Sequence, residues 1–283
     1  MKTKQITLSL ALVAIVSAAI FSSCKKKDED EKDNDTASAA DQSLASTTVN
    51  DMTSISDEAG KNYNVSSFRT SEADGITSAP CATVTCDTLA AAKTITVNFG
   101  ANNCLCNDGR YRKGVLVISF TGRYRDSLTL ITVTPQGYYV NDNLVTGTKT
   151  IKNMGHNSVG HLVYEINANI QIIKANNGGT ISWQSTRQRE WTAGENTFTW
   201  NDDMYSITGN ASGTTANGNS FTAVITTPLV RNMAFGCRRH FVSGVLEHTP
   251  GGKATRYINF GTGTCDDQAT VTINGVVYTI TLP

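Results

Sequence analysis

Alternation of apolar and polar residues dominates the chain from residue 81 onward. In "HLVYEINANIQIIK", residues 161–174, every second residue from Leu162 to Ile172 is apolar, and the residues between them are mostly polar. A period of two is typical of a β-strand with one buried face and one solvated face. Similar runs are "KTITVNF", "KGVLVISFT", "SLTLITVT", "NSFTAVITT" and "RRHFVSGVLEH". No stretch after residue 81 shows a helical repeat.

Turn residues separate these runs. Asn274 and Gly275 lie between "ATVTI" and "VVYTITL", and Asn217 and Gly218 precede "NSFTA". Asn-Gly between two strand-like runs is the strongest short-range signal for a β-hairpin. The pattern therefore predicts an all-β domain, an antiparallel meander of about twelve strands forming a sandwich or a partly closed barrel.

The first residues follow a different pattern. Lys2 and Lys4 precede a run of mostly apolar residues, as in a secretory signal peptide, and the run is short for a membrane-spanning helix. Ser22 and Ser23 then precede Cys24, an arrangement that resembles the lipobox of bacterial lipoproteins. The resemblance implies that residues 1–23 are removed and that Cys24 carries acyl chains such as palmitate, which anchor the protein. The alternative is an ordinary cleaved signal peptide with a cysteine nearby.

Dense charge follows the cysteine in "KKKDED". Lys27 followed by Asp28, Glu29 and Asp30 resembles the surface-export signal of lipoproteins in the Bacteroidota. That resemblance implies a lipid-anchored protein of the outer membrane that faces the cell exterior. The alternative is a solvated spacer on a lipoprotein that faces the periplasm, because a run of charge stays extended and does not pack.

Charge divides the chain, which is formally neutral as a whole. Residues 25–80 carry six basic and twelve acidic residues, whereas residues 81–283 carry sixteen basic and twelve acidic residues. Since residues 33–80 are also rich in Ser, Thr, Ala, Asp and Asn, residues 24–80 are predicted to be a lipidated cysteine and a disordered acidic linker. A short helix in "DQSLASTTVNDMTSISDEAGK" is the alternative, although its periodicity is weak. Residues 81–283 suffice for one domain, and their small positive surplus does not indicate a nucleic-acid partner.

Two cysteines can be paired from the predicted register. The strands "CRRHFVSGVLEH" and "KATRYINFGTGTC" flank the turn "TPGG". A hairpin centred on Gly251 places Cys237 opposite Cys265, at a spacing that a disulfide can bridge. Export from the cytoplasm would permit such a bond. The sequence therefore predicts a disulfide between Cys237 and Cys265.

Four further cysteines, Cys81, Cys86, Cys104 and Cys106, allow three pairings, and the sequence does not choose among them. Their spacings, C-x4-C and C-x-C, do not match a zinc finger or zinc ribbon. They are predicted to form structural disulfides, and no metal site is predicted.

One segment, "WQSTRQREW", carries unusual side chains for a strand. Trp183, Arg187, Arg189 and Trp191 share one face of it. Arginine stacks on aromatic rings and binds carboxylate or phosphate, and tryptophan offers a flat apolar face to a sugar ring. These residues therefore predict a glycan- or anion-binding strip. The alternative is that both tryptophans pack at the edges of the core while the arginine stems extend past them.

Catalytic motifs are missing from the sequence, including a G-x-S-x-G elbow after a strand, so no catalytic residue and no cofactor are predicted. Acidic residues lie near predicted turns at Asp108, Asp202, Asp203, Asp266 and Asp267. Such carboxylates could bind calcium or form a glycosidase pair. Aspartates at turns more often bond to nearby backbone groups as Asx turns.

The domain itself resembles a family of uncharacterised Bacteroidota lipoproteins over residues 81–283. The segments that carry this are "VNFGANNCLCNDGRYRKGVLVISFTG", "YYVNDNLVTGTKTIKN" and "FGTGTCDDQATVTINGVVYTITL". The family resemblance implies no activity. The predicted function is therefore a surface-anchored binding module for a glycan or another surface protein, with hydrolysis of extracellular polysaccharide as the alternative.

Protease treatment of intact cells tests the predicted location. If the protein faces the medium, an antibody against residues 81–283 should lose its signal while a periplasmic marker in the same sample stays intact. Survival of the domain until the outer membrane is breached would contradict surface export and leave the charged block as a spacer.

Overall fold

The computed structural model describes residues 36–61, 82–87, 89, 93–106, 108–197, 199, 201–238 and 240–282. The predicted signal peptide, Cys24, the export residues from Lys27 to Asp30, and Cys81 lie outside the described residues. Predictions for them stay predictions. In the described part of the chain, no helix has both the length and the apolar character needed to cross a membrane.

One helix and fourteen strands make up the described chain. In sequence order they are α1 (Ala37–Lys61), β1 (Thr83–Asp87), β2 (Lys93–Asn98), β3 (Cys104–Leu105), β4 (Tyr111–Phe120), β5 (Leu130–Val140), β6 (Asn143–His156), β7 (Leu162–Ile173), β8 (Thr180–Ala193), β9 (Met204–Thr214), β10 (Ser220–Asn232), β11 (Ser243–Pro250), β12 (Arg256–Thr262), β13 (Gln268–Ile273) and β14 (Val276–Thr281).

All the strands belong to one antiparallel sheet. Each pairs with its neighbour in sequence, except that β2 pairs with β4 and the two-residue β3 adds to the edge of β4. Among the described residues no ladder joins β1 to β14, so the sheet is open rather than closed into a barrel. The predicted all-β meander is confirmed, with fourteen strands in place of about twelve.

Local patterns account for the strands and their turns. On β7 the alternate residues from Leu162 to Ile172 are buried, as their apolar character predicts. Asn274 and Gly275 have positive φ angles of 49° and 78° and join β13 to β14, whose closing pair is Ile273 and Val276. This is the backbone that a two-residue hairpin needs, and Asn-Gly supplies it with little strain.

The linker prediction is wrong for residues 37–61, which form α1, and the alternative of a helix in "DQSLASTTVNDMTSISDEAGK" is confirmed. The carbonyl of Thr36, a residue type favoured at the start of helices, accepts from the amide of Ala40 at 2.9 Å. Buried apolar residues then recur at intervals of three or four, as one stripe of a helix requires. They are Ala45, Val49, Met52, Ile55 and Ala59.

Polar residues of α1 are buried as well, and several satisfy their hydroxyl groups within the helix. Thr48 Oγ1 donates to the carbonyl of Leu44 at 2.8 Å, and Ser56 Oγ donates to that of Met52 at 2.7 Å. Such bonds to the preceding turn allow a hydroxyl to leave water without losing its partner. A helix rich in Ser and Thr can therefore be buried.

The sheet curves around α1. Ser38 hydrogen-bonds to His248 of β11 at 2.6 Å, and Asp51 bonds to Arg112 of β4, near the other end of the sheet. Burial, reinforced by the nearby charge of Arg256, lowers the pKa of His248 to about 4, so its imidazole is neutral in this contact. Strands at both ends of the sheet order thus reach one helix.

Two hydrophobic cores meet at this helix. The N-terminal half of α1 packs with strands β7 to β13 through residues such as Ala45 and Val49. The C-terminal half packs with β2, β4 and β5 through Met52 and Ile55. A third cluster, around Tyr164 and with Tyr124 from the β4–β5 connection, does not include the helix. The helix therefore connects the early and late parts of the sheet.

Cys237 and Cys265 form the predicted disulfide, with Cα atoms 4.5 Å apart. The register behind that prediction is wrong, however, because His248 pairs with Arg256 and the turn is centred on Gly252, whose φ is +72°. The disulfide consequently lies beyond both strand ends rather than within the ladder.

The other cysteines follow the prediction only in part. Cys104 is disulfide-bonded, but Cys86 and Cys106 are free, so the prediction of structural disulfides is wrong for these two. Burial raises the pKa of both free thiols. At Cys106 a hydrogen bond with Arg112 lowers the pKa in turn, but burial outweighs it. Both are therefore poor nucleophiles at neutral pH.

Candidate ligand-binding cavity

A cavity of about 230 Å³ lies between α1 and the inner face of the sheet. Its helix wall includes half-buried polar residues that recur at intervals of three or four: Ser43, Thr47, Asn50 and Ser54. Its sheet wall carries apolar side chains, including Leu229, Leu246, Ile258 and Phe260, together with arginines such as Arg187. The helix side of the cavity can thus form hydrogen bonds, and the sheet side offers apolar surface and positive charge.

The cavity lies at the open side of the sheet. Asp108 and Arg110, next to β4, line it together with Ile280 and Leu282 at the end of β14. These residues come from opposite ends of the strand order, and β1 and β14 are not paired within the described chain. The failure of the sheet to close therefore leaves space beside the helix.

Two carboxylates at this end of the cavity are held by one guanidinium. Arg112, fully buried, donates from Nε and Nη2 to Asp51 at 3.2 and 2.7 Å, and from Nη1 and Nη2 to Asp108 at 2.8 and 2.5 Å. Burial opposes ionisation of Asp108, but the bonds and charge of Arg112 outweigh it and lower the pKa of that carboxyl. Arg110 Nη1 adds a contact of 3.4 Å to Asp51.

Arg187, on β8, lines the same cavity without such a partner. Its side chain is 94% buried, since only 6% remains exposed, and its Nε has no hydrogen-bond acceptor. The guanidinium carbon lies 5.3 Å from the ring of Trp183. Burial lowers the pKa of Arg187 to about 10, and no counter-charge opposes this. Arg187 is still a cation at neutral pH.

The four residues of the predicted strip share one face of β8, but that face is turned inward. Trp183, Arg187, Arg189 and Trp191 are each no more than 9% exposed. β8 is the central strand of the sheet, so its inner face meets the helix, and Trp183 Nε1 donates to Gln42 at 2.6 Å. The prediction of an exposed binding strip is therefore wrong. Three of the four residues pack in the core, and the fourth, Arg187, lines the cavity.

Arg189, unlike Arg187, is packed among several aromatic rings. Its guanidinium carbon lies 5.7, 5.3 and 4.8 Å from the ring centres of Tyr124, Tyr164 and Tyr205. Three aromatic faces give a buried cation favourable electrostatic contacts. Arg189 does not line the cavity.

Two further arginines add positive charge near the β10–β11 connection. Arg231 and Arg238 line the cavity there, next to His240, and Arg231 Nη2 donates to the carbonyl of Arg238 at 3.0 Å. The lining as a whole contains four arginines and two aspartates. Its charge balance favours an anion over a cation.

A second concave surface, of about 440 Å³, lies on the outer face of β6 to β9. Paired positions such as Asn167 and Thr186, or Asn169 and Gln184, place uncharged polar side chains side by side. The full lining is Thr148, Thr150, Asn167, Ala168, Asn169, Gln184, Ser185, Thr186, Asn210 and Ser212. This surface can exchange hydrogen bonds but offers no aromatic ring and no charge.

The remaining predicted acidic residues do not join either cavity. Asp266 Oδ1 accepts from the amide of Gln268 at 3.0 Å, and Asp267 accepts from its side-chain amide at 2.8 Å. Asp202 accepts from Thr197 Oγ1 at 2.9 Å, and Asp203 from the hydroxyl of Tyr205 at 3.2 Å. The Asp266 contact is the Asx-type bond to a nearby backbone amide, whereas Asp202, Asp203 and Asp267 bond to side chains. No group of three His, Cys, Asp or Glu residues suited to a metal ion occurs in the described part of the chain.

Sequence reasoning missed the helix side of the cavity, although one signal was present. On β4, Leu116, Ile118 and Phe120 are apolar at every second position and face inward. The same period extended backward puts Arg112 on the inner face. A charged residue there requires a buried partner, and that partner, Asp51, lies in the segment taken for a linker.

Comparisons of the chain with models of known protein families, with curated proteins and with solved structures found no match.

Removing the Asp51 charge should destabilise the protein strongly. Asp51→Asn leaves the buried guanidinium of Arg112 with a weaker partner, and breaking a buried ion pair costs about 3–5 kcal/mol. Urea unfolding should give a loss of free energy of unfolding toward the lower end of that range.

Asp142→Asn is the matched control, because Asp142 also accepts from a cation, Lys113, at 3.2 Å but is 55% exposed. Its loss should stay below about 1 kcal/mol. Equal small losses for the two variants would mean that Arg112 does not hold the helix in the sheet.

Proposed function

We propose that this protein is a lipid-anchored binding module of the cell surface that takes a small molecule into the cavity beside α1. One observation carries the proposal, a partly open cavity with a hydrogen-bonding helix wall, apolar side chains on the sheet and a buried cation, Arg187, whose Nε has no hydrogen-bond acceptor. Ligand sites combine mostly apolar surroundings with a few placed polar groups. The predicted anchor at Cys24 and the export residues would present this cavity to the medium.

The polar character of the helix supports binding over simple packing. An apolar helix would fill the interior of the sheet more completely, since closely packed cores leave few voids. Here the face with Ser43, Thr47 and Asn50 stands against an apolar wall across open space. Polar groups that face an internal space suit a ligand that brings matching groups.

Hydrolysis of polysaccharide is the less favoured function. A glycosidase needs a carboxylic acid whose pKa is raised, next to a second carboxylate that is free to act. Asp51 and Asp108 lie together, but Arg112 bonds to both and the pKa of Asp108 is lowered. We therefore do not propose an enzyme.

A neutral glycan is a second candidate ligand, at the outer groove of β6 to β9. Uncharged amide and hydroxyl side chains such as Asn169, Gln184 and Asn210 can exchange hydrogen bonds with sugar hydroxyls. Without an aromatic ring for stacking, however, this groove offers less binding energy than the cavity. A surface protein could use the same groove.

A thermal-unfolding screen tests the proposal on the mature chain with Cys24→Ser, which carries no acyl chains. Candidate ligands are neutral oligosaccharides, organic acids and organic phosphates. A ligand at about 100 times its Kd should stabilise the protein by about 2.7 kcal/mol. Thr47→Phe fills the cavity and should abolish the shift, whereas Thr186→Phe blocks the outer groove and should leave it unchanged.

The reverse pattern, loss with Thr186→Phe alone, would transfer the function to the outer groove. A screen in which no compound class stabilises the protein would contradict the proposal that the cavity is a binding site.

A further inference from the structure

We propose that the cavity selects an organic anion, whose carboxylate or phosphate group binds Arg187 while its apolar part lies against Phe241 and Phe260. This inference rests on the proposed function and names the chemical class of its ligand. It extends the anion side of the binding strip predicted for β8 to a single residue, Arg187, in an internal site.

Arg187 differs from the other buried cations of the same interior. Arg112 bonds to two aspartates, and Lys149 Nζ donates to the carbonyl of Val49 at 2.8 Å. Arg189 Nε and Nη2 also lack an acceptor, but three tyrosine rings surround that guanidinium and it does not line the cavity. Arg187 has one aromatic neighbour, and no carboxylate or hydrogen-bond acceptor contacts it in the part of the chain described.

A buried charge without a partner is unfavourable, so its presence requires an explanation. The side chain of Arg187 lies on the cavity wall, where an incoming anion can supply the missing counter-charge. Uncompensated buried charges with perturbed pKa values occur preferentially at functional sites. Binding of an anionic ligand by Arg187 explains both its burial and its lack of a hydrogen-bond acceptor.

Guanidinium geometry defines the charged part of the ligand. The planar fork of arginine matches carboxylate and phosphate oxygens with two parallel hydrogen bonds. The buried Nε is one available donor of this fork. Around a largely buried guanidinium the local dielectric is low, so these bonds are stronger than at the surface.

The other charged residues that line the cavity also favour an anionic ligand. The two aspartates of the lining are already bonded to Arg112, so they do not repel an anion strongly. Arg231 and Arg238 have contacts of their own, yet their charges add to the positive potential. The cavity therefore attracts anions before any direct contact forms.

The apolar wall defines the rest of the ligand. Phe241 and Phe260 meet edge to face with ring centres 5.2 Å apart, next to Leu229 and Leu246. An inorganic anion would leave this wall uncovered, and a neutral sugar would leave Arg187 without a partner. An organic acid or phosphate ester with an apolar body satisfies both walls.

Octanoate and its neutral analogue octanol test this inference, with binding to the mature chain carrying Cys24→Ser measured by calorimetry. Octanoate should bind at least about tenfold more tightly, since hydrogen bonds to charged groups contribute about 1.5–3 kcal/mol. Arg187→Met should remove this preference so that the two probes bind equally. It should also leave the unfolding temperature equal to or above that of the parent, because an unpaired buried cation is removed.

Arg189→Met is the matched control on the same strand and the same face. It should keep the octanoate preference and lower the unfolding temperature, because it loses three aromatic contacts. Should it fail to fold, Gln188→Met, on the outer face between the two arginines, replaces it as the control.

Three outcomes overturn the inference. Equal binding of octanoate and octanol to the parent protein contradicts anion selection, although the cavity is then still a binding site. A preference that survives Arg187→Met, in a protein that has become less stable, means that Arg187 is a packing residue. Binding of neither probe contradicts both this inference and the proposed function of the cavity.

Discussion

The guanidinium of Arg112 is the contact on which the architecture depends most. It bonds to Asp108 beside its own strand and to Asp51 on the helix, so one buried cation ties α1 to the early part of the sheet. At the other end of the helix, Ser38 meets His248 of β11. Because the helix is shared by two hydrophobic cores, these polar contacts determine how the two parts of the sheet face each other.

A polar helix inside a sheet needs hydrogen-bond partners for its buried groups, and its small side chains leave space for a ligand. Each buried polar group needs a partner, and hydroxyl bonds to the preceding turn, together with contacts from Lys149, Lys174 and Trp183, supply many of them. Small side chains on the opposite face of the helix leave the cavity open. The same arrangement that satisfies the helix thus leaves Arg187 facing a space instead of a carboxylate.

Sequence patterns predicted most of the sheet and little of its interior. Strands such as β7 alternate cleanly, and the Asn274-Gly275 turn requires a backbone that few other residue pairs adopt, so both were predictable. The helix was only an alternative to a linker, because its buried stripe contains small alanines and its buried polar residues are of the types that linkers contain. The cysteine pair was predicted correctly from a register that was wrong by two residues, because the turn is centred on Gly252 and not on Gly251.

The inward direction of the β8 strip could not be predicted for a related reason. Period two assigns Trp183, Arg187, Arg189 and Trp191 to one face but does not say which face is enclosed. That depends on α1, whose place against the sheet is set by contacts distant in sequence, such as Trp183 to Gln42. Hydrogen exchange of the backbone amides of residues 37–61 tests this account most directly. It predicts protection similar to that of the central strands β7 and β8, whereas exchange as fast as in an unstructured peptide would contradict a helix enclosed by the sheet.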